Sequence, residues 1–514
     1  MVKTKETRIY EGGVWVKKKS LLRLVLPISL IVVLAIALPL LSGCFGKPAV
    51  APPEVAPEAP AVVTPEAPVP AEALPVGLSI AEVEILGHLP AQEIGVEYPI
   101  GETINIGFLA ALTGPDAGWG LPGLTGNSIF IDAANKTGGL LVGGVRYPMK
   151  MYEFDDEAIG SKALQGAREL VLEKDVRFIS AIGGSPADAT HPYLTEKKVV
   201  YSTLISTDIT PDRYYLIGGG DVTPRIDMLR PLMVKMVMAT EEELGRKLRW
   251  AVTSQDDPIG RQCQAWEVGC AVAEGWEIVY DKHFSLETTD FAPVATAMIA
   301  TNPDAISLNL CYPTFQTLLW EQFYLQGYEG LISQNYIDWE ANLQKIPAQW
   351  AEDRWGMDSF PRFDDPWWGA PSWQLSFTNL WEARYGPGAP EDVMRHMTGI
   401  DWDHVVNLIP WAWGAQTWGV DNPGAGFPDN DQILSTLRAA HEFPTILGPG
   451  CMYGESMRAI DNMMSLPVPI NKFDATAVSK RIWVTIRFED WYERIEDQVI
   501  EVVEEHGQMW YQRR

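Results

Sequence analysis

The clearest hydrophobic pattern in the chain covers residues 104–120, with the sequence INIGFLAALTGPDAGWG. The apolar and β-branched residues Ile104–Leu109 predict a buried strand, which the Thr-Gly-Pro run at 113–115 ends. We expect a loop that carries Trp119, followed by a helix from about Leu121 to Asn135. Ligands of open α/β sheets bind outside the carboxyl ends of the strands. This loop is therefore the first candidate for a binding site.

Further along, apolar segments of strand length alternate with segments that have the periodicity of helices. Such alternation indicates βαβ units and a parallel sheet. The glycine cluster 218–220 separates two such runs, so the pattern predicts an α/β protein with two lobes. The predicted strands are Tyr147–Phe154, Phe178–Ile182, Val199–Tyr201, Leu248–Thr253, Trp276–Tyr280, Ala305–Leu310 and a short strand at Leu331, and the predicted helices are one capped by Ser161 and those at Pro224–Glu243, Ile259–Glu274, Phe291–Ala300 and Thr314–Gln326.

Residues 345–430 differ from this pattern. They are rich in tryptophan, proline and glycine, and no helix or strand period dominates them. One interpretation is that the aromatic residues fill the core of an enlarged first lobe. The other is an aromatic wall near the cleft, which suits an aromatic, sugar-like or quaternary-ammonium ligand. A helix at Asp431–His441 and a strand and acidic helix within Ile482–Glu505 follow.

The N-terminal segment has the order of an export signal. Basic residues, among them Lys17 and Arg23, precede the apolar run Leu24–Leu41, which leads through Leu-Ser-Gly to Cys44. This end resembles a bacterial lipobox, and the resemblance implies that Cys44 is diacylated and becomes the mature N-terminus. The alternative is an uncleaved transmembrane anchor, since the run approaches spanning length. Both interpretations place the rest of the chain outside the cytoplasmic membrane.

The amino-acid composition predicts a tether near the N-terminus and argues against nucleic acid or anionic lipid as a partner. Residues 47–75 consist mainly of proline, alanine, valine and glutamate, so they cannot build a core and predict an extended spacer. The rest is globular, because hydrophobic residues make up 46% of the 514-residue chain and charged residues 21%. The formal net charge of −27 would repel nucleic acid and anionic lipid.

The sequence contains no recognisable catalytic, metal or cofactor motif. A phosphate-binding G-x-x-x-x-G-K loop, a G-x-S-x-G elbow and paired His-x-x-x-His or Cys-x-x-Cys ligands are missing from it. We therefore predict no enzyme activity, no metal and no cofactor. Cys263 and Cys270 lie about 10 Å apart along one predicted helix, beyond the reach of a disulfide. The pairing of Cys311 and Cys451 is open.

Several segments together resemble one family. They are INIGFLAALTGPDAGWG at 104–120, AANKTGG at 133–139, YEFDDEAIGSKALQGARELV at 152–171 and AIGGSPADAT at 181–190. In order and spacing they resemble the extracellular substrate-binding proteins of ABC transporters of the branched-chain amino acid (Leu/Ile/Val-binding) type, the type I periplasmic binding proteins. The resemblance implies two α/β lobes, each a parallel-sheet sandwich, joined by hinge crossovers.

The resemblance also implies a function and a domain plan. A monomeric protein would trap a small solute between its lobes and present the closed form to the ABC permease subunits. The expected segments are the signal peptide 1–43, the lipidated cysteine and tether 44–102, the first lobe 103–220, the second lobe 221–335, a tryptophan-rich return to the first lobe 336–450, and a crossover and C-terminal segment 451–514 that completes the second lobe.

The family's ligand contacts fall on particular residues of this sequence. Two positions depart from the family pattern: Ala187 stands where a serine often binds a carboxylate, and Asn335–Tyr336 lack the acid that binds an ammonium group. An ordinary branched-chain amino acid is therefore not the ligand we expect, since a buried ammonium without a carboxylate is costly. The expected contacts are Trp119, Ala187, Asp188, Leu204, Ser206, Asp257, Ile259, Tyr312, Asn335 and Tyr336.

Two other function classes remain open at this point. The same lobes could present a ligand to a membrane signalling partner, as a sensor does. An exported hydrolase would need a nucleophile and a base within residues 345–430, where the sequence offers no recognisable pair.

Overall fold

The structure is a computed structural model. It describes residues 7–11, 14–18, 82, 86–87, 89–114, 116–205, 213–217, 244–308, 311–334, 339–354, 405–445, 448–452, 464–465, 468–474, 479–486 and 495–508. The chain divides into two compact units, Met1–Val63 and Thr64–Arg514. No helix among the described residues is both long and apolar enough to cross a membrane.

The first unit contains one described element, an antiparallel hairpin. Its strands are β1 (Thr7–Glu11) and β2 (Val14–Lys18). The predicted apolar run Leu24–Leu41, the lipidation site Cys44 and the spacer 47–75 lie outside the described residues.

The first lobe of the second unit is built on a five-stranded parallel sheet. The strand order is β6-β3-β7-β8-β9, so the predicted first strand lies inside the sheet, where its apolar side chains are buried on both faces. The elements are β3 (Ile104–Ala110), α1 (Ala117–Lys136), a hairpin of β4 (Leu140–Val142) and β5 (Val145–Tyr147), β6 (Met149–Asp155), α2 (Gly160–Leu172), β7 (Val176–Gly183), α3 (Ser185–Lys197), β8 (Val200–Ile205) and β9 (Leu216–Ile217).

The second lobe has a four-stranded parallel sheet in the order β11-β10-β12-β13. Its core includes Trp250 and Trp276, whose ring centroids lie 5.1 Å apart. The elements are β10 (Arg249–Gln255), α4 (Pro258–Ala273), β11 (Glu277–Phe284), α5 (Ala292–Ile299), β12 (Ala305–Leu308), α6 (Pro313–Leu325), β13 (Leu331–Gln334), α7 (Trp339–Leu343) and α8 (Ala348–Asp353). The two parallel sheets confirm the predicted α/β fold with two lobes.

The tryptophan-rich segment 345–430, for which the sequence indicated no regular period, contains the helix α9 (Val405–Asp421). The expectation of no regular period is therefore wrong for this part of the segment. The four successive residues 408–411 are all buried, and four successive residues point in different directions around a helix, so the helix has no polar stripe to produce a helical pattern. Trp411 packs in the first lobe, with its ring centroid 5.5 Å from that of Phe178 in β7.

The remaining elements are short strands and two helices. The last helix packs on α4, where a Cβ on Gly269 would lie 3.0 Å from the carbonyl oxygen of Val499. The C-terminal end of this last helix is held by a contact of 2.8 Å between His506 Nε2 and Oδ2 of Asp281 in β11. The elements are α10 (Asn430–Ala439), β14 (Phe443–Thr445), β15 (Gly448–Met452), β16 (Met464–Ser465), the hairpin of β17 (Val468–Asp474) and β18 (Ser479–Ile486), and α11 (Glu496–Glu505).

Candidate functional site

The loop after β3 is shorter than the sequence predicted. Helix α1 begins at Ala117, so Trp119 lies in its first turn and its side chain is fully buried. Gly120 serves close packing, because a Cβ on it would lie only 1.9 Å from the carbonyl oxygen of Ala111. The expectation that a loop carries Trp119 is therefore wrong.

The first turn of α1 touches the second lobe. The rings of Trp119 and Tyr312 meet edge to face, with centroids 5.3 Å apart and an interplanar angle of 89°. A Cβ on Gly118 would lie 3.5 Å from Pro313, the first residue of α6. The two lobes thus contact each other at the carboxyl ends of their sheets, where α/β proteins bind ligands.

Asp257 fixes the second-lobe side of this contact. It precedes α4, and its Oδ1 accepts a hydrogen bond of 2.6 Å from the backbone N–H of Gly260, which caps the helix. Its Oδ2 accepts a hydrogen bond of 2.7 Å from the hydroxyl of Tyr312. Burial raises the pKa of Asp257 above its ordinary value, although these bonds oppose the rise. Both of its oxygens are therefore committed to structural partners.

Asp116 lies on the first-lobe side and is not among the contacts expected from the sequence. It directly precedes α1 and is only 5% exposed, yet its carboxylate makes no capping hydrogen bond. Burial, and then the negative charges of Asp257 and Asp156, raise the pKa of Asp116 to about 7. The available signal was an acid directly after the Gly-Pro pair of the very loop that the sequence marked as ligand-facing.

The same charges act on the aromatic residue between the lobes. Burial, followed by the negative charges of Asp116 and Asp257, raises the pKa of the Tyr312 phenol far above its ordinary value. The phenol therefore keeps its proton at neutral pH and remains a hydrogen-bond donor.

The segment 181–190, which carries the expected contacts Ala187 and Asp188, consists of the end of β7 and the start of α3. Ala187 and Asp188 lie in the first turn of α3, and the Ala187 methyl group is buried. The chain turns directly into the helix at Gly184, whose φ is +63°. The carboxylate of Asp188 accepts a hydrogen bond of 2.6 Å from Arg213 of the same lobe. No described contact joins either residue to Trp119.

The structure thus brings Trp119, Asp257 and Tyr312 into one cluster. Leu204 belongs to β8 and Ile259 to α4, but the structure describes the side chain of neither. Ser206, Asn335 and Tyr336 lie outside the described residues. Among the described residues, no group of three or more His, Cys, Asp or Glu side chains could hold a metal ion.

Solved structures with a similar fold include bacterial binding proteins. An ABC transporter substrate-binding protein from Sphaerobacter thermophilus is 17% identical, with a TM-score of 0.59 over 75% of this chain and 98% of that one. A solute-binding protein of an ABC transporter from Rhodopseudomonas palustris, in complex with 3,4-dihydroxybenzoic acid, is 17% identical, with a TM-score of 0.57 over 75% and 97%. The branched-chain amino acid binding protein LivJ from Streptococcus pneumoniae, in complex with isoleucine, is 17% identical, with a TM-score of 0.57 over 75% and 99%.

Sequence comparison gives the family itself. A comparison with curated proteins found no match. The family model described as periplasmic binding protein matches residues 103–471, which is well over half of the chain. This match covers both parallel sheets and the contact between Trp119 and Tyr312. The chain belongs to the periplasmic binding protein family.

Proposed function

We propose that the protein captures a small solute between its two lobes on the outer side of the cytoplasmic membrane and delivers it to an ABC importer. The observation that carries this proposal is the contact of Trp119 with Tyr312, which joins the carboxyl ends of two parallel sheets in a member of the periplasmic binding protein family. Closure of two lobes around a ligand is hinge-type switching. A partner that recognises the closed form therefore distinguishes the ligand-bound protein from the ligand-free protein.

The names of the similar structures support solute uptake. They include binding proteins with an aromatic acid and with a branched-chain amino acid bound. In the proposed mechanism this protein changes no covalent bond. Its lobes bind and release the solute, and the permease and its ATPase supply transport.

We also propose that Cys44 carries the lipid anchor and that residues 47–75 hold the binding lobes away from the membrane. The basic and apolar N-terminal segment that ends in Leu-Ser-Gly-Cys supports this assignment. In a bacterial host fed with labelled palmitate, the full-length chain should incorporate label, and Cys44→Ser should not. Equal labelling of both chains would contradict the anchor.

Thermal-shift screening of the full-length chain in detergent tests solute capture. A ligand that binds only the folded state raises the melting temperature by mass action. The panel should include isoleucine, 3,4-dihydroxybenzoate, simple amines and polyols. Stabilisation by at least one small solute is the expected result. Stabilisation by a protein or peptide alone would show that uptake binding is the wrong class.

A further inference from the structure

The contact between the lobes contains buried acceptor oxygens that lack a donor. They are Oδ1 of Asp116, Oδ2 of Asp156 and Oε1 of Gln255, and none accepts a hydrogen bond within the part of the chain that the structure describes. All three residues are at least nine-tenths buried. Most buried polar groups in proteins have a hydrogen-bond partner, so these three acceptors require an explanation.

These oxygens lie on both sides of the lobe contact. Asp116 and Asp156 follow β3 and β6 in the first lobe, and Gln255 is the last residue of β10 in the second. The Gln255 amide lies 3.5 Å from Asp257 Oδ1. Asp116 is close enough to Asp257 and Asp156 for their charges to raise its pKa. Asp257 in turn accepts the hydroxyl hydrogen bond of Tyr312, whose ring contacts Trp119, so Asp116 and Gln255 are both neighbours of this lobe contact.

Among the residues that the structure describes, no positive charge is found to act on Asp116. The described charges that act on it are those of Asp257 and Asp156, and both oppose its ionisation. Arg261 lowers the pKa of Asp257, but its guanidinium is 2.8 Å from Asp256, with which it forms an ion pair. An ionised carboxylate that is buried without a partner is costly. A donor with a positive charge would relieve both the missing hydrogen bonds and the repulsion.

We propose that the cleft binds a cationic nitrogen of the solute, a primary or secondary ammonium group, with Asp116 as its counterion and with Trp119 and Tyr312 beside it. Ammonium N–H groups supply the donors that Asp116 and Gln255 lack, and charge-assisted hydrogen bonds are the strong ones. Aromatic rings favour a cation next to their faces. Asp257 keeps its structural role, since both of its oxygens already have partners. This assignment rests on the proposed function, because it identifies the solute class of the same cleft.

Matched solute pairs test the proposal on the full-length chain in detergent at pH 7.5. In one pair 2-phenylethylamine is compared with 2-phenylethanol, and in the other isoleucine is compared with 3-methylpentanoate, which lacks the ammonium group. Isothermal titration should show binding of at least one amine and weaker binding of its partner by about tenfold or more, the value of one or two charge-assisted hydrogen bonds.

Two variants locate the effect. Asp116→Asn should reduce the amine affinity by about tenfold or more, whereas the control Asp132→Asn, an exposed position on the same helix, should leave it unchanged. A second measurement needs no variant: amine affinity of the natural protein should fall between pH 8 and pH 5, as Asp116 takes up a proton, while the affinity for a neutral solute stays constant.

The outcomes separate this inference from the proposed function. If neutral or anionic solutes bind at least as tightly as their amine partners, or if Asp116→Asn binds the amine as tightly as the natural protein does, the cation assignment is wrong and solute capture stands. The same conclusion follows if amine affinity is independent of pH from 5 to 8. If no small solute of any charge binds, while a protein partner does, both the cation assignment and the proposed function fail.

Discussion

Asp116 and Asp257 occupy equivalent places in the two lobes, yet their surroundings differ. Each precedes a helix that starts at the carboxyl end of a parallel strand, and each is more than nine-tenths buried. Asp257 caps its helix and accepts the Tyr312 hydroxyl, whereas Asp116 makes no capping bond and its Oδ1 accepts no hydrogen bond from a described residue. Asp257 is therefore part of the scaffold, whereas Asp116 keeps a buried oxygen without a described donor, as the proposed ammonium site requires.

The largest expected effect comes from the fully buried ring of Trp119 at the contact between the lobes. Trp119→Ala should lower the free energy of unfolding by about 3–5 kcal/mol, as the truncation of a fully buried aromatic residue does. It should also let water reach Asp116 and bring the pKa of that carboxyl back toward its ordinary value. Urea unfolding at pH 5 and at pH 8 measures both changes.

The conservative variant Trp119→Phe is the matched control, because it keeps an apolar ring at the contact. It should lose clearly less stability than Trp119→Ala. A loss below about 1 kcal/mol for the alanine variant, which is typical of a surface position, would contradict the closed contact and with it the comparison of the two acids.

The next effect tests the scaffold role of Asp257. Asp257→Ala removes a helix cap and leaves the buried hydroxyl of Tyr312 without its acceptor, so we expect a loss of about 2–3 kcal/mol. Asp257→Asn keeps an oxygen that can cap the helix and should lose less than half of that.

The neighbouring acid Asp256 provides the control for this prediction. It is exposed and pairs with Arg261 on the surface, so Asp256→Asn should change the free energy of unfolding by only about 0.5 kcal/mol. Equal losses for Asp256→Asn and Asp257→Ala would show that the buried hydrogen bonds of Asp257 do not stabilise the fold.

Much of this architecture could be predicted from local patterns. The strand at Ile104–Ala110 and the later alternation of strands and helices follow from the apolar periodicity that both buried sheets require. The helix Val405–Asp421 could not be found in this way, because its buried residues lie on several faces and leave no amphipathic pattern. Its packing depends on residues more than 200 positions away, such as Phe178.

The site was predictable only in part. The sequence pointed to Trp119, Asp257 and Tyr312, which the structure brings together. It did not predict that Asp257 caps a helix or that Tyr312 donates a hydrogen bond to this acid. Asp116 was missed because its significance is a property of three-dimensional surroundings. Its burial and the charge of Asp257, 141 residues away, appear only when the two lobes meet.

The smallest effect distinguishes the two acids most directly. A carboxyl whose pKa is raised in the folded state binds a proton more tightly there than in the unfolded chain, so stability falls as pH rises from about 4, the usual value, to the folded value of about 7. If the full pKa shift contributed, the free energy of unfolding would fall by about 4 kcal/mol over this pH range. Because the effective dielectric of real protein sites is high, we expect a loss of about 1–2 kcal/mol.

Chemical unfolding of the natural protein and of Asp116→Asn at pH 5 and pH 8 measures this contribution. Asp116→Asn should be the more stable of the two at pH 8 and should show a smaller loss from pH 5 to pH 8. Because Asp156, His283 and His506 also titrate in the folded protein, only the difference between the two proteins reports on Asp116. If the free energies of unfolding of the two proteins changed equally from pH 5 to pH 8, the ionisation of Asp116 would not destabilise the fold. The proposed electrostatic difference between Asp116 and Asp257 would then be wrong.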